Sequence, residues 1–370
     1  MKKIGIDARL YNQTGVGTYL KNLLFYLDKK KLNNLFYVYL LKKDFENVNF
    51  KNKNIIKRIA DYKWHSFSEQ TSFLKTLLQD NLDLVHFTYF TFPIFYPKKF
   101  IITIHDLTPI LFKTGKASTK NIFIYYFKYL IFKILFFISI IRAKIIITPT
   151  YTVKKQLMDY LKLRNLDKKI KVFYEGISFQ LLEKKIIDDN FSKKFKNFFL
   201  YVGNFYPHKN VENLIKAFVE LKNNNQLVLI GPDDFFTKRL EKFINKLNNK
   251  RIILLKNLSR EKINWFYKNC LALIHPSLSE GFGLTLVEAA YFQRPIIASN
   301  IEVFKELWGD NYLSFDPKNI NDIKEKIEFF IKNRPIFDYY KILKNLSFQK
   351  MTEETVKVYE QVLSLSKTEP

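Results

Sequence analysis

The chain carries a single cysteine, Cys270, in 370 residues. Disulfides within the chain are thereby excluded, nothing argues for an oxidising compartment, and Cys270, abutting an apolar run, is expected to be a buried small hydrophobe. Acidic residues are also scarce, 35 against 61 basic ones, for a formal charge of +26. So basic a balance favours nucleic acid, anionic membrane or anionic substrate as partner. The basic residues are mostly lysines scattered among many Asn, Ile, Phe and Tyr, which points to a composition skewed as a whole. Paired zinc ligands and an aromatic RNP-type strand are missing, so no nucleic-acid partner is expected. Adhesion to an acidic membrane surface stays open. The apolar run behind Met1-Lys2-Lys3 breaks at Asp7 after three residues. No secretion signal is expected, which places the protein in the cytoplasm, with the inner face of the plasma membrane as the site of any peripheral contact. An Asp-x-Asp metal motif is absent, and no internal repeat stands out.

An uninterrupted apolar span is missing as well. Ile122–Ile141 has twenty residues, nearly all aliphatic or aromatic, which is long enough to cross a bilayer. Lys128 and Lys133 sit near its middle, and at roughly 3 kcal/mol each on insertion scales they cancel most of the gain. The strand and helix alternation continues beyond it. A long, mostly buried helix is expected there, with face-down contact at an interface, lysines snorkelling, as the alternative.

What the chain does have is alternation. Short apolar runs, bounded by turns, alternate with helical periodicity through both halves, and the length suits two domains. Strands are expected at Ile4–Ile6, Leu35–Leu41, Ile55–Ile59, Leu82–Phe87, Phe100–Ile104, Ile145–Thr148 and Lys169–Phe173, and again from Phe198–Gly203 onward. The polar stretch Ser178–Asn197 reads as the interdomain connection. The division is residues 1–190, residues 191–350, and a terminal segment 351–370 whose helix crosses back to the first domain.

One stretch carries chemistry: Leu271–Ile274 reads as a strand, His275 to Gly283 as a loop with two glycines, and a helix starts near Leu284. Glycines let backbone N–H groups approach a ligand, and a helix N-terminus attracts an anion. Glu280 and Glu288 frame that phosphate seat. Donors for a diphosphate beside acceptors for sugar hydroxyls suit a sugar nucleotide. The spacing of Thr285 and Glu288 equally fits a capping box, and Glu280 equally fits a solvated loop charge. Lys209, just before another helix N-terminus, is misplaced for the helix dipole unless an anion binds there. Gly15 and Gly17 lie in a loop Thr14–Thr18 after the first strand, without the third glycine of a dinucleotide fingerprint, and equally fit an ordinary turn or the entry of the helix that follows. His105 and Asp106 end an apolar strand, where open α/β sheets hold ligands.

The run Glu280-Gly-Phe-Gly-Leu-Thr-Leu-Val-Glu288 resembles the Glu-x7-Glu signature of the retaining glycosyltransferases of family 4. Val202-Gly203 through Pro207-His208-Lys209-Asn210 resembles that family's Val-Gly-x-x-x-Pro-Arg-Lys-Asn, with His208 in place of Arg. His105-Asp106-Leu107-Thr108-Pro109 is similar to the subgroup that includes mannosyltransferases of bacterial surface polysaccharides. The resemblance implies the GT-B fold, two doubly wound Rossmann-like α/β domains facing a central cleft. It implies retaining transfer of a hexosyl group, mannose favoured, from a nucleotide-diphosphate sugar, GDP-mannose ahead of UDP-sugars, to a hydroxyl of a glycan or lipid-linked glycan. No metal and no cofactor beyond this co-substrate are implied. Lys209 would bind the donor diphosphate with the backbone of Gly281, Phe282, Gly283, Leu284 and Thr285, and Gly15 and Gly17 would reach the same phosphates. Glu288 would hold the ribose and Glu280 the hexose hydroxyls. His105 would sit at the reacting face, with Asp106 orienting it or meeting an acceptor hydroxyl. A nucleotide-sugar epimerase of the same fold, a glycoside hydrolase with paired carboxylates, and a basic nucleic-acid- or membrane-binding protein are the rival readings.

Overall fold

The computed structural model describes residues 1–112, 122–181 and 194–364. The chain forms two compact units, one of residues 1–175 together with the segment from Ser347, the other Gly176–Leu346. The division falls at Glu175 and Gly176, earlier than the 190/191 boundary taken from the polar stretch, of which 182–193 lie outside the described residues.

Each unit is built on a parallel sheet. In the first, β1 (Lys3–Asp7), β2 (Leu35–Leu40), β3 (Ile55–Ile59), β4 (Leu84–Phe87), β5 (Phe100–Thr103), β6 (Ile146–Thr148) and β7 (Ile170–Val172) lie in the order β3-β2-β1-β4-β5-β6-β7. Neighbours on alternate faces, such as Ile101 and Ile102, are both buried, as a parallel sheet covered by helices on each side requires. In the second, β8 (Phe198–Val202), β9 (Gln226–Gly231), β10 (Ile252–Lys256), β11 (Leu273–His275), β12 (Ile296–Ser299) and β13 (Leu313–Phe315) lie in the order β10-β9-β8-β11-β12-β13. Strand order reverses between β1 and β4 and between β8 and β11. Ligands of such sheets sit outside the carboxyl ends at that reversal.

The helix Phe348–Ser364 belongs to the first unit and packs on the helix Thr14–Asp28. Its Tyr359 hydroxyl lies 2.7 Å from His86 Nδ1 on β4. Beside β1, the buried guanidinium of Arg9 lies 2.7 Å from both Asp7 Oδ2 and Glu69 Oε1. Burial alone would lower the Arg9 pKa, but the two carboxylates outweigh it and raise it. The turn after β1 is thereby fixed from within the core.

Two expectations are corrected by this fold. Gly15 and Gly17 are not in a loop but at the helix entry, the other reading of that stretch: the helix begins at Thr14, and Gly17 N–H already donates to Gln13 O at 2.7 Å. Gln13 at the N-cap makes no side-chain cap bond, so the usual sequence sign of a helix start is missing. A Cβ on Gly17 would meet Tyr11 O at 2.6 Å, whereas one on Gly15 meets nothing within 4 Å. Gly17→Ala is therefore expected to lower stability by about 1–3 kcal/mol, and Gly15→Ala to raise it by about 0.5–1 kcal/mol. Thermal unfolding of the two variants checks this; a Gly17→Ala melting point at or above wild type would contradict the close approach.

The second correction concerns the long apolar helix. It is present, Ile122–Arg142, but it is not mostly buried. Phe136, Ser139 and Ile140 face the core, and the opposite side is exposed. Among the described residues no helix is long and apolar enough to cross a membrane.

Candidate active site

The second unit gathers its chemistry at the carboxyl ends of β8 and β11. Glu280, in the loop after β11, is the centre. Its Oε1 accepts from Lys209 Nζ at 2.6 Å, Ser277 Oγ at 2.6 Å and His275 Nε2 at 2.8 Å. A carboxylate oxygen only accepts, so His275 carries its proton on Nε2 and Thr285 Oγ1, 3.2 Å from Nδ1, can donate to the other nitrogen. Burial pushes the Glu280 carboxyl up, but Lys209 and His275 outweigh that and hold it well below the ordinary carboxylate range. The group is an anion throughout the neutral range.

The surroundings keep this cluster in place. The His275 ring is stacked on Tyr201 of β8 at 5.8 Å and meets the edge of Phe304 at 5.6 Å. The loop after β8 is tied to the loop after β11 by Leu278 N–H donating to His208 O at 2.8 Å. Lys209 ends a turn, Pro207–Lys209, and Asn210 then enters the helix Val211–Val219 from a left-handed conformation, φ 58°. That geometry aims Lys209 sideways at Glu280 rather than along the helix.

Gly283 caps the helix Leu284–Tyr291 with φ +90°, and a Cβ there would meet Phe304 at 2.6 Å. The helix starts where the sequence placed it, without a capping box. Thr285 turns to His275, and Glu288 pairs with Arg260, whose terminal nitrogen lies 2.6 Å from Glu288 Oε1. Neither side chain caps the helix start, where Leu286 N–H donates to Gly283 O at 3.0 Å. Arg260 opens the helix Arg260–Asn269, and its buried Nε has no hydrogen-bond partner among the described residues. The Tyr267 phenol is pushed well up by burial and by Glu288. His275, Ser277 and Arg260 were not singled out from sequence. His275 stood in the marked stretch with no spacing rule to give it a role, and Arg260 meets Glu288 only through the fold.

In the first unit, His105 follows β5. Its Nε2 lies 2.9 Å from Thr88 O and its ring meets Tyr19 edge-on at 4.8 Å. Asp106 does not orient it: Asp106 Oδ1 accepts from Thr108 N–H at 2.7 Å, closing the turn that starts the next helix. The carboxylate beside His105 Nδ1, at 3.5 Å, is that of Glu175, another residue the sequence did not mark. Gly15 and Gly17 stand in the first turn of the helix that carries Tyr19.

Two buried histidines tie stability to pH. Burial, with His105 nearby, lowers His86 to about 3, and burial with Lys209 nearby lowers His208 to about 4. Between those values and about 6.5 the unfolded chain binds protons that the folded chain does not, so stability is full above this window and falls as pH drops through it. Each histidine accounts for roughly 2 kcal/mol by pH 5. His208→Asn is expected to flatten the fall in melting temperature between pH 7 and pH 5; an unchanged slope would contradict the assignment.

The family described as Glycosyl transferases group 1 matches residues 183–347, nearly all of them in the second unit. An uncharacterized glycosyltransferase of Methanocaldococcus jannaschii is 30% identical over 269 residues, 71% of this chain and 68% of that protein. The chain belongs to the group 1 glycosyl transferases. The O-antigen chain mannosyltransferase RfbU of Salmonella typhimurium is 26% identical over 75% of this chain and 76% of its own length. Among solved structures, sucrose-phosphate synthase from Thermosynechococcus elongatus superposes with a TM-score of 0.74 at 16% identity, covering 99% of this chain and 100% of that one. Anabaena HepE, in complex with UDP and glucose, gives 0.72 at 14% identity over 97% of this chain and 100% of its own. These likenesses show the fold, GT-B, with its two Rossmann-like units. As a group 1 glycosyl transferase the protein is an enzyme, and the Glu280 cluster lies in the matched residues.

Proposed function

We propose that this glycosyltransferase moves a mannosyl group from a nucleotide-diphosphate sugar, GDP-mannose, to a hydroxyl of a glycan or lipid-linked glycan, with retention at the anomeric carbon. One observation carries the reading. All three donors to Glu280 fall on Oε1, and no described donor reaches Oε2. The carboxylate is held anionic and in a fixed orientation, with one oxygen left to accept from sugar hydroxyls. Lys209 stands beside it as the cation for the leaving diphosphate, together with the backbone donors at Gly283 and Leu284. Those donors stabilise negative charge as the anomeric bond breaks.

Glu288 then serves the ribose hydroxyls, with Arg260 fixing its position. In a retaining transfer of this type the departing phosphate oxygen takes the acceptor proton, so no side-chain base is needed in the second unit. His105, with the Glu175 carboxylate 3.5 Å from its Nδ1, serves the acceptor side in the first unit. The names of RfbU and of the Escherichia coli serotype-specific mannosyltransferase WbdA, 32% identical over 35% of this chain, support mannose and a surface polysaccharide as the product.

The test is to follow GDP-mannose by proton NMR with the enzyme, with and without a mannose-terminated oligosaccharide on a lipid carrier. The expected result is GDP release that requires the acceptor and an α-linked product. Donor turnover with no acceptor requirement would identify an epimerase or hydrolase instead, and a β-linked product would overturn retention.

A further inference from the structure

The helix Ile122–Arg142 turns an apolar face to water. Phe123, Phe127, Leu130, Ile134, Phe137 and Ile141 recur at intervals of three and four, and all are exposed, from 83% at Phe123 to 42% at Phe137. With Tyr126 and Ile131 they cover about 140° of the helix circumference at 100° per residue. Lys128 and Lys133 fall outside this stripe on opposite borders. The core side of the same helix, Phe136 and Ile140, is fully packed. At its end Arg142 donates to the carbonyls of Ile94 and Tyr96, which sets Phe95, 77% exposed, beside the same end. An apolar patch this continuous marks an interaction site rather than an ordinary surface.

Charge selects the occupant. From Asp106 to Asp159 the sequence holds nine basic residues and no acidic residue between them. A second copy of the chain, meeting this face about a two-fold axis, would set each lysine border against its own kind. An anionic bilayer answers both features, taking the stripe at the acyl boundary and the lysines at the phosphates. Spanning does not fit, because one face of the helix is already committed to the core of the first unit.

We propose that this helix lies face-down on an anionic phospholipid surface, with the Phe123 to Ile141 stripe inserted and Lys128 and Lys133 reaching headgroup phosphates. The inference does not rest on the transferase reading. It is tested by flotation of the full chain with vesicles of phosphatidylcholine alone or mixed with phosphatidylglycerol. Wild type is expected to float with the mixed vesicles and to bind the neutral ones more weakly by roughly tenfold or more. The double substitution Leu130→Glu and Ile134→Glu, on exposed positions, is expected to abolish flotation while the melting temperature stays at that of wild type. Lys128→Gln with Lys133→Gln is expected to weaken binding to anionic vesicles and leave neutral binding unchanged. No flotation of wild type, or flotation that survives both double substitutions, would overturn the proposal. So would a lipid-free dimer that the glutamate pair dissociates, which would name a second copy as the occupant.

Discussion

Lys209→Ala is expected to lower kcat/KM for the sugar donor by about 10²–10³-fold, some 3–4 kcal/mol of transition-state stabilisation. The argument runs from position. Lys209 is the cation 2.6 Å from the carboxylate that would hold the hexose, so it lies where the diphosphate must part from the sugar. Its attraction grows as charge moves onto the leaving phosphate, which predicts a fall in kcat beyond any rise in KM. Lys209→Arg keeps the charge but replaces a compact ammonium with a planar fork, and an intermediate loss is expected. Steady-state kinetics of the two variants decide it; a Lys209→Ala enzyme within threefold of wild type, roughly 0.6 kcal/mol, would remove Lys209 from the mechanism.

Glu280→Gln carries the second large effect, and it acts on stability as well as turnover. The amide keeps the shape and can set its oxygen toward His275 and Ser277, but it is neutral and cannot balance Lys209, and its NH2 end replaces the oxygen that would accept from the sugar. Removing one partner of a buried pair costs about 3–5 kcal/mol, and the lower half of that range is expected because Lys209 keeps some contact with water. The double variant Lys209→Met with Glu280→Gln is expected to recover much of that stability and none of the activity. Recovery of both would mean that the pair is structural only. The pH dependence has a definite sign: with the Glu280 carboxyl below its ordinary value, its contribution is complete above about 4.5 and is lost as pH falls further. Glu280→Gln should therefore flatten the acid limb of the stability curve below that pH.

The strands of both units could be read from the sequence because apolar runs of parallel sheets are short, continuous and bounded by turn residues. β3 falls on Ile55–Ile59 as expected, and the helix of the site starts at Leu284. What escaped depends on three-dimensional neighbours. Thr285 and Glu288 have the spacing of a capping box whether they fold back on their own helix or turn outward, and only the positions of His275 and Arg260 decide between those. Glu175 follows β7 and His105 follows β5, so their approach is set by sheet order and by no local pattern. Gly15 and Gly17 looked like loop residues because Gln13 offers no capping side chain. In Ile122–Arg142 apolar residues occupy every face, and periodicity cannot tell which of them the core will take.

The most direct measurement is calorimetric titration of wild type, Lys209→Ala and Glu288→Ala with GDP, UDP and their sugars, paired with melting curves. One nucleotide should bind wild type and add about 2.7 kcal/mol of stability at a hundred times its dissociation constant. Both variants should bind it at least about tenfold more weakly, 1.4 kcal/mol. A folded wild-type protein that binds no nucleoside diphosphate at all would contradict the account.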